Sequence, residues 1–339
     1  MVVSPEPGGK AGGTERFCDQ LSDVLAKLGF EVSTVGPRPA PLVLARHGGA
    51  ALWQAGSVRR TGGAVHPDLV VTTGFLGWPG GWGGRRVHVF VGNMVRQARN
   101  IGGTWHWRLR WGLDRGLAEA ISARGAVVVA GSAQAAEDAR RLYRARVDAV
   151  VPLGVDTDVF RPRHRAEARR RLGLRPDARY ALFVGRGERG KGPSVAVDAC
   201  RRAGFDLLAA GTRPVDGSVR LGVLPPQELA WAYAAADAVV LPTAYEGFGF
   251  VAVEALACGV PIVTTPTGWA RELGQAVPAY RPWLVPPAAP TVATALASVG
   301  SEAARAATEA AREHVLEHNT LTAFEHRWAD LLTSIGALS

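Results

Sequence analysis

At 339 residues, with 47% hydrophobic and 20% charged side chains, the chain has an ordinary globular composition and is long enough for two sizeable cores. No apolar run reaches the roughly eighteen residues a spanning helix needs, and the opening MVVSPEPGG lacks the charged and apolar regions of a secretory signal. Cys18, Cys200 and Cys258 are too scattered for a metal or disulfide framework, so the expected location is cytoplasmic, with the inner face of the membrane as the other possibility.

The formal charge of +9 is unevenly placed. Residues 1–150 hold 19 basic against 11 acidic side chains, whereas residues 151–339 hold 20 against 19. The excess is densest between Arg85 and Arg115, and it suits an anionic membrane face, an acidic acceptor or nucleic acid. Solvated arginine is the plain alternative, because Lys10, Lys27 and Lys191 are the only lysines among 39 basic residues.

Strand and helix patterns alternate along the chain, as in parallel α/β layers. Residues 2–4 read as a very short strand and 14–28 as the helix after it. Further strands are expected at 30–35, 69–73, 87–91 and 126–130. The segment WHWRLRWGLDRGL projects as a helix with Trp105, Leu109, Leu113 and Ala120 on one side as a core stripe. Trp107 and Trp111 fall on another side with Arg108 and Arg115. That face suits an anionic membrane interface or a lipid-phosphate acceptor, and equally a cleft lining or packing beneath a loop. Single-stranded nucleic acid would use the same chemistry without other support. Residues 151–162, with their Gly and prolines, read as a hinge. A second alternating set has strands at 180–184, 205–209, 238–241 and 261–264. A loop is expected at 282–290, and two closing helices at 303–318 and 321–335.

Residues 245–260, YEGFGFVAVEALACGV, carry the densest chemistry. Glu246 is followed by Gly247, Phe248 and Gly249, and Glu254 lies eight positions after Glu246 in a helical pattern ending at Gly259. Glycines at a helix start let the backbone approach a phosphate, and a carboxylate deeper in the site suits a sugar diol. Read as one helix face, the two carboxylates would stand on the order of 12 Å apart, too far for a hydrolase acid–nucleophile pair. Upstream, GRGERGKG (residues 185–192) also fits the G-x-G-x-x-G dinucleotide pattern. That pattern wants an acid at the end of the next strand, whereas the only acid of FDLLAAG is Asp206 at its beginning. Arg186 and Lys191 stand where a dinucleotide turn wants small residues, and they suit two phosphates instead. Gly12 and Gly13 precede a helix opening with Thr14; they make either a plain capped turn or a close approach to an acceptor or diphosphate, with Lys10 nearby.

Together these stretches resemble the retaining glycosyltransferases of family 4. The run ADAVVLPTAYEGFGFVAVEALACGVPIVTT is similar to that family's strand, E-x7-E and strand signature. GRGERGKG resembles its G-R-x4-K-G phosphate clamp, AGGTERF (residues 11–17) its glycine-rich first turn, and VPLGVDTDVFRP (residues 151–162) its entry into the second domain. The resemblance implies a GT-B fold of two Rossmann-like parallel-sheet domains facing a cleft. An acceptor-binding domain would span 1–152, a nucleotide-sugar domain 153–320, and a final helix at 321–339 would return to the first domain. It implies a retaining transfer from a nucleoside diphosphate sugar, with UDP expected, to a secondary metabolite (as in antibiotic biosynthesis), a lipid phosphate or a glycolipid.

By the same resemblance Glu254 would hold the ribose hydroxyls, and Arg186 and Lys191, with Gly185, the diphosphate. Glu246 would touch donor-sugar hydroxyls beside the N–H groups of Gly247, Phe248 and Gly249, and Val223 and Leu224 would neighbour the base. Gly12, Gly13, Thr14 and Asn93 would face the acceptor. Many family members carry a histidine at the end of a first-domain strand, where this chain has residues 91–92. His88 lies inside the strand and reads as a core or edge residue, which leaves Asn93 as the polar group there. Asp156 and Asp158 resemble a metal-binding D-x-D but sit in the hinge between Pro152 and Pro162, so they read as a turn or cap and the transfer is expected to need no metal and no cofactor. A nicotinamide-dependent oxidoreductase and a non-catalytic basic binding protein remain as alternatives.

Overall fold

The computed structural model describes residues 1–4, 12–41, 44, 49–62, 66–77, 83–100 and 104–338; Lys10 and Ala11 lie outside them. The chain divides into two compact units, Met1–Leu153 with Phe324–Ser339, and Gly154–Ala323.

The first unit is built on strands β1 (Val2–Val3), β2 (Thr34–Val35), β3 (Leu69–Thr73), β4 (Arg85–Phe90), β5 (Val127–Ala130) and β6 (Ala149–Val150). They form a sheet in the order β2-β1-β3-β4-β5-β6, with parallel pairing throughout. Helices α1 (Gly13–Lys27), α2 (Ala50–Gly62), α3 (Met94–Asn100), α4 (Trp105–Ser122) and α5 (Ala133–Tyr143) belong to it. All five residues of β3 are buried, as a central parallel strand requires. By contrast β2 is shorter than the expected 30–35, because it is an edge strand that pairs only where β1 offers Val2 and Val3.

The second unit holds β7 (Tyr180–Val184), β8 (Asp206–Ala210), β9 (Val219–Gly222), β10 (Ala238–Leu241) and β11 (Ile262–Thr264), ordered β11-β10-β7-β8-β9 and again parallel. Its helices are α6 (Arg165–Arg171), α7 (Pro193–Ala203), α8 (Pro226–Ala235), α9 (Phe250–Ala257), α10 (Trp269–Ala276), α11 (Ala289–Ser298) and α12 (Glu302–His318). The expected loop at 282–290 is cut short at both ends, by a 3-10 turn over Pro278–Trp283 and by Pro290 in the first turn of α11, where a missing N–H costs nothing.

The last helix, α13 (Leu321–Ser334), begins in the second unit and continues in the first. There its buried Phe324 and Trp328 meet Phe17 of α1 at ring distances of 6.1 and 6.4 Å, and Glu325 pairs with Lys27 at 3.2 Å. Two parallel sheets flanked by helices constitute the GT-B architecture, with six and five strands among the described residues.

Candidate functional site in the second unit

In β11-β10-β7-β8-β9 the order reverses between β7 and β10, and open parallel sheets bind ligands beyond the carboxyl ends of strands at such a point. The loop after β7 carries Gly185, Arg186 and Lys191, and the loop after β10 carries Glu246 to Gly249. The two loops are tied together. Ala244 N–H donates to Gly190 O at 2.8 Å and Thr243 Oγ1 donates to the same oxygen at 3.2 Å. Lys191 Nζ reaches Glu246 Oε1 at 2.6 Å, with both side chains largely buried. An ammonium has three donors, so Glu246 orients Lys191 without exhausting it.

Two glycines make this approach possible. Gly192 lies at φ +69°, and a Cβ there would stand 2.2 Å from Pro242 O. A Cβ on Gly211, at the end of β8, would stand 1.7 Å from Gly185 O. Arg186 is half exposed and pairs with Glu188 at 3.1 Å.

The carboxylates do not share a helix face. Helix α9 starts at Phe250, with Gly249 as its N-cap at φ +104°, so Glu246 lies in the loop before it. The separation expected from helical rise therefore does not apply. What distinguishes the two acids is their surroundings. Glu254 is buried in α9 and accepts a 2.8 Å hydrogen bond from Tyr233 OH on α8, while Glu246 holds a cation at the loop. The Glu246–Gly249 loop is braced from behind: Trp269 N–H donates to Phe248 O at 2.8 Å, and the Trp269 indole donates to Asn319 at 3.0 Å. Phe248 itself is core, packed on Phe250 and Trp269, so it offers the loop its backbone rather than its ring. Val223 is exposed and Leu224 half-buried just beyond β9.

Asp206 stands at the amino end of β8, bound to Arg175 at 2.7 Å, and the carboxyl end of β8 is Ala209, Ala210 and Gly211. No acid is therefore placed to hold a ribose in the manner of a dinucleotide fold. Asp156 Oδ1 accepts the N–H groups of Asp158 and Val159 at 3.0 and 3.2 Å, a self-contained turn.

In the first unit Gly12 is the N-cap of α1, and Thr14 lies in its first turn. Asn93, beyond β4, is buried; its Oδ1 caps α3 through Arg96 N–H at 2.9 Å, while Nδ2 has no hydrogen-bond partner among the described residues. His88 is fully buried, 2.9 Å from Thr72 Oγ1, and burial, with Arg86 nearby, lowers its pKa to about 3. It is a neutral core residue. Two buried acids escaped the sequence reading: Asp138, which pairs with Arg96 at 3.0 Å, and Glu119. Glu119 on α4 accepts from Tyr143 OH and from Met94 N–H at 3.0 Å, and burial raises its pKa to about 7. Its only sequence signal is a charge at a position where α4 is otherwise Gly and Ala.

The family described as glycosyltransferase family 4 matches residues 11–159, and that described as glycosyl transferases group 1 matches residues 164–298. The chain belongs to the group 1, family 4 type of glycosyltransferases. A D-inositol 3-phosphate glycosyltransferase of Mycobacterium tuberculosis is 42% identical over 144 residues, which cover 37% of this chain and 30% of that relative. The sucrose-phosphate synthase of Thermosynechococcus elongatus superposes with a TM-score of 0.81 at 23% identity, covering 100% of this chain and 99% of that one. Anabaena HepE, crystallised with UDP and glucose, gives 0.72 at 17% identity over 98% of this chain and 99% of its own. At these identities the two structures speak for the shared glycosyltransferase fold.

Proposed function

We propose that this group 1, family 4 protein transfers a sugar from a nucleoside diphosphate, UDP by preference, to a hydroxyl of a secondary-metabolite or lipid-linked acceptor. The proposed stereochemistry is retention, and no metal is required. The observation that carries the reading is the joined pair of loops at the switch point of the second sheet, with Lys191 held by Glu246 at 2.6 Å and Glu254 buried in the helix that follows. HepE, a structural relative, is crystallised with UDP and with UDP-glucose, which supports the choice of nucleotide.

In this reading Lys191 and Arg186 neutralise the diphosphate as the bond between the anomeric carbon and the phosphate oxygen breaks. The acceptor oxygen bonds to that carbon, and its proton passes to the leaving phosphate oxygen on the same face. No protein nucleophile is needed, consistent with His88 being sealed in the core. Glu254, fixed on its helix by the Tyr233 hydroxyl, is assigned the ribose hydroxyls. Glu246, beside Gly247, Phe248 and Gly249, orients the donor sugar, and Val223 and Leu224 border the base. Gly185 brings the backbone close to the diphosphate. The acceptor is assigned to Gly12, Gly13, Thr14 and Asn93. The name of the mycobacterial relative pairs a glycosyltransferase with a phosphorylated cyclitol, which keeps a phosphate-bearing acceptor among the first to screen.

The test is calorimetric titration with UDP in a chelating buffer, followed by a screen of UDP-sugars with the product anomer read by NMR. UDP is expected to bind in the micromolar range. Lys191→Ala and Glu254→Ala are expected to lower turnover by about 100-fold or more while circular dichroism stays native. Normal turnover in either purified variant would overturn the site; binding of NAD in place of UDP would overturn the donor class.

A further inference from the structure

Helix α4 carries its leucines outward. Of eight large hydrophobic side chains exposed among the described residues, five lie on this one helix. Trp105, Leu109, Leu113 and Leu117 recur every four residues, forming a single ridge about 18 Å long, and Leu113 is 63% exposed. Neither acid of α4 interrupts it: Asp114 accepts the N–H groups of Gly49 and Ala51, and Glu119 is buried.

At its carboxyl end the helix runs into a groove of about 1080 Å³, where Ala120 of α4 and the adjoining Arg124 meet Arg85, Arg86, Arg144 and Arg146. The carboxylate among the lining residues, Asp148, pairs with Arg146 at 3.3 Å. Arg86 is anchored by bonds to Ser122 O and Arg124 O at 2.8 and 3.0 Å, and its buried Nε has no partner among the described residues. The groove thus sets five guanidinium groups against one carboxylate, next to an apolar ridge.

We propose that this face docks on an anionic lipid bilayer. The Trp105–Leu117 ridge enters the acyl boundary, and the arginine groove takes lipid phosphates. Charge complementarity selects this occupant. Three of the four ridge side chains are leucines with no π-face, too few stacking platforms for successive nucleic-acid bases, and a cluster of five arginines has no acidic counterpart on a second copy of the ridge. The surface lies in the first unit, and its docking is independent of the donor site.

The experiment is flotation of the full chain, without nucleotide, with vesicles of phosphatidylglycerol and phosphatidylcholine in equal parts and with phosphatidylcholine alone. Partition is expected to be about tenfold stronger on the anionic vesicles and to weaken with salt. The double variant L109E/L113E is expected to lose binding about tenfold or more. The double variant R124E/R144E should bind both vesicle types equally weakly. All four substituted positions are exposed or half-exposed, and circular dichroism verifies the fold. Failure to float with anionic vesicles, or flotation unchanged in both variants, overturns the proposal. So does a concentration-dependent dimer in lipid-free solution that L109E/L113E dissolves, which would assign the ridge to a second copy. Capture of inorganic polyphosphate without any vesicle affinity also overturns it, leaving a soluble anion site.

Discussion

Two carboxylate pairings act at the residue scale, one with a cation and one with a phenol, and neither is visible in spacing alone. Glu246 meets Lys191 across 55 positions of sequence, and Glu254 meets Tyr233 across 21. The motif supplied cations and carboxylates, the residue types that the proposed diphosphate and ribose contacts call for. It misplaced Glu246 on a helix, because glycine at 249 starts that helix three residues later. In the first unit Glu119 and His88 are buried with opposite consequences for pH. Glu119 is raised by burial to about 7, so its protonated form suits the fold, and stability is lost as pH rises from about 4.5 to 7. His88 is lowered to about 3, so its contribution is lost as pH falls below about 6.5. The two oppose each other between about pH 4.5 and 6.5. Glu119→Gln is therefore expected to leave a stability that rises with pH in that window. Its gain over the natural protein should grow to at most about 3 kcal/mol near pH 7. Denaturant midpoints at several pH values measure this; equal slopes in the two proteins would refute it.

At the scale of the element, α4 reverses its expected orientation. Periodicity correctly gave a helix, which Thr104 caps by accepting from Trp107 N–H. The stripe of Trp105, Leu109 and Leu113, expected in the core, is exposed. Of the other side, for which exposure and packing beneath a loop were equally expected, Trp107 is exposed at its margin and Trp111 is half-buried, with Arg115 stacked 4.3 Å over its ring and 5.3 Å from Phe75. The buried side instead holds Gly112, Gly116 and Ala118. Added Cβ atoms on Gly112 and Gly116 would stand 2.8 Å from Ala98 and 2.6 Å from Val95 of α3, so the two helices pack through their glycines. A hydrophobic stripe marks a face; it does not say whether a partner covers it. The glycine pair was the better signal. Gly116→Val is expected to force α3 and α4 apart and to destabilise the first unit by about 1–3 kcal/mol, read by thermal or denaturant unfolding. A variant as stable as the natural protein would show that the contact is loose.

For the molecule as a whole, two parallel sheets carry their loops at carboxyl ends, and the three cysteines are spread over both units. Cys18 lies in the first and Cys200 and Cys258 in the second; all are buried, with thiols raised by burial to about 12. No thiol of the native protein is expected to react with Ellman's reagent at neutral pH within minutes, while all three should react in denaturant. Rapid release of even one equivalent from native protein would contradict that burial. Among the described residues no helix is long and apolar enough to cross a membrane.

The sequence by itself determined the alternation of strands and helices, the family, and the residue types at the switch point. These are local properties: a glycine that must approach a backbone is required at its own position whatever surrounds it. The tertiary structure alone decided which side chains pair, that Glu119 and His88 are sealed in the core, and that the leucines of α4 face outward. Those outcomes depend on what packs against each element, and a pattern confined to one helix carries no information about its neighbours.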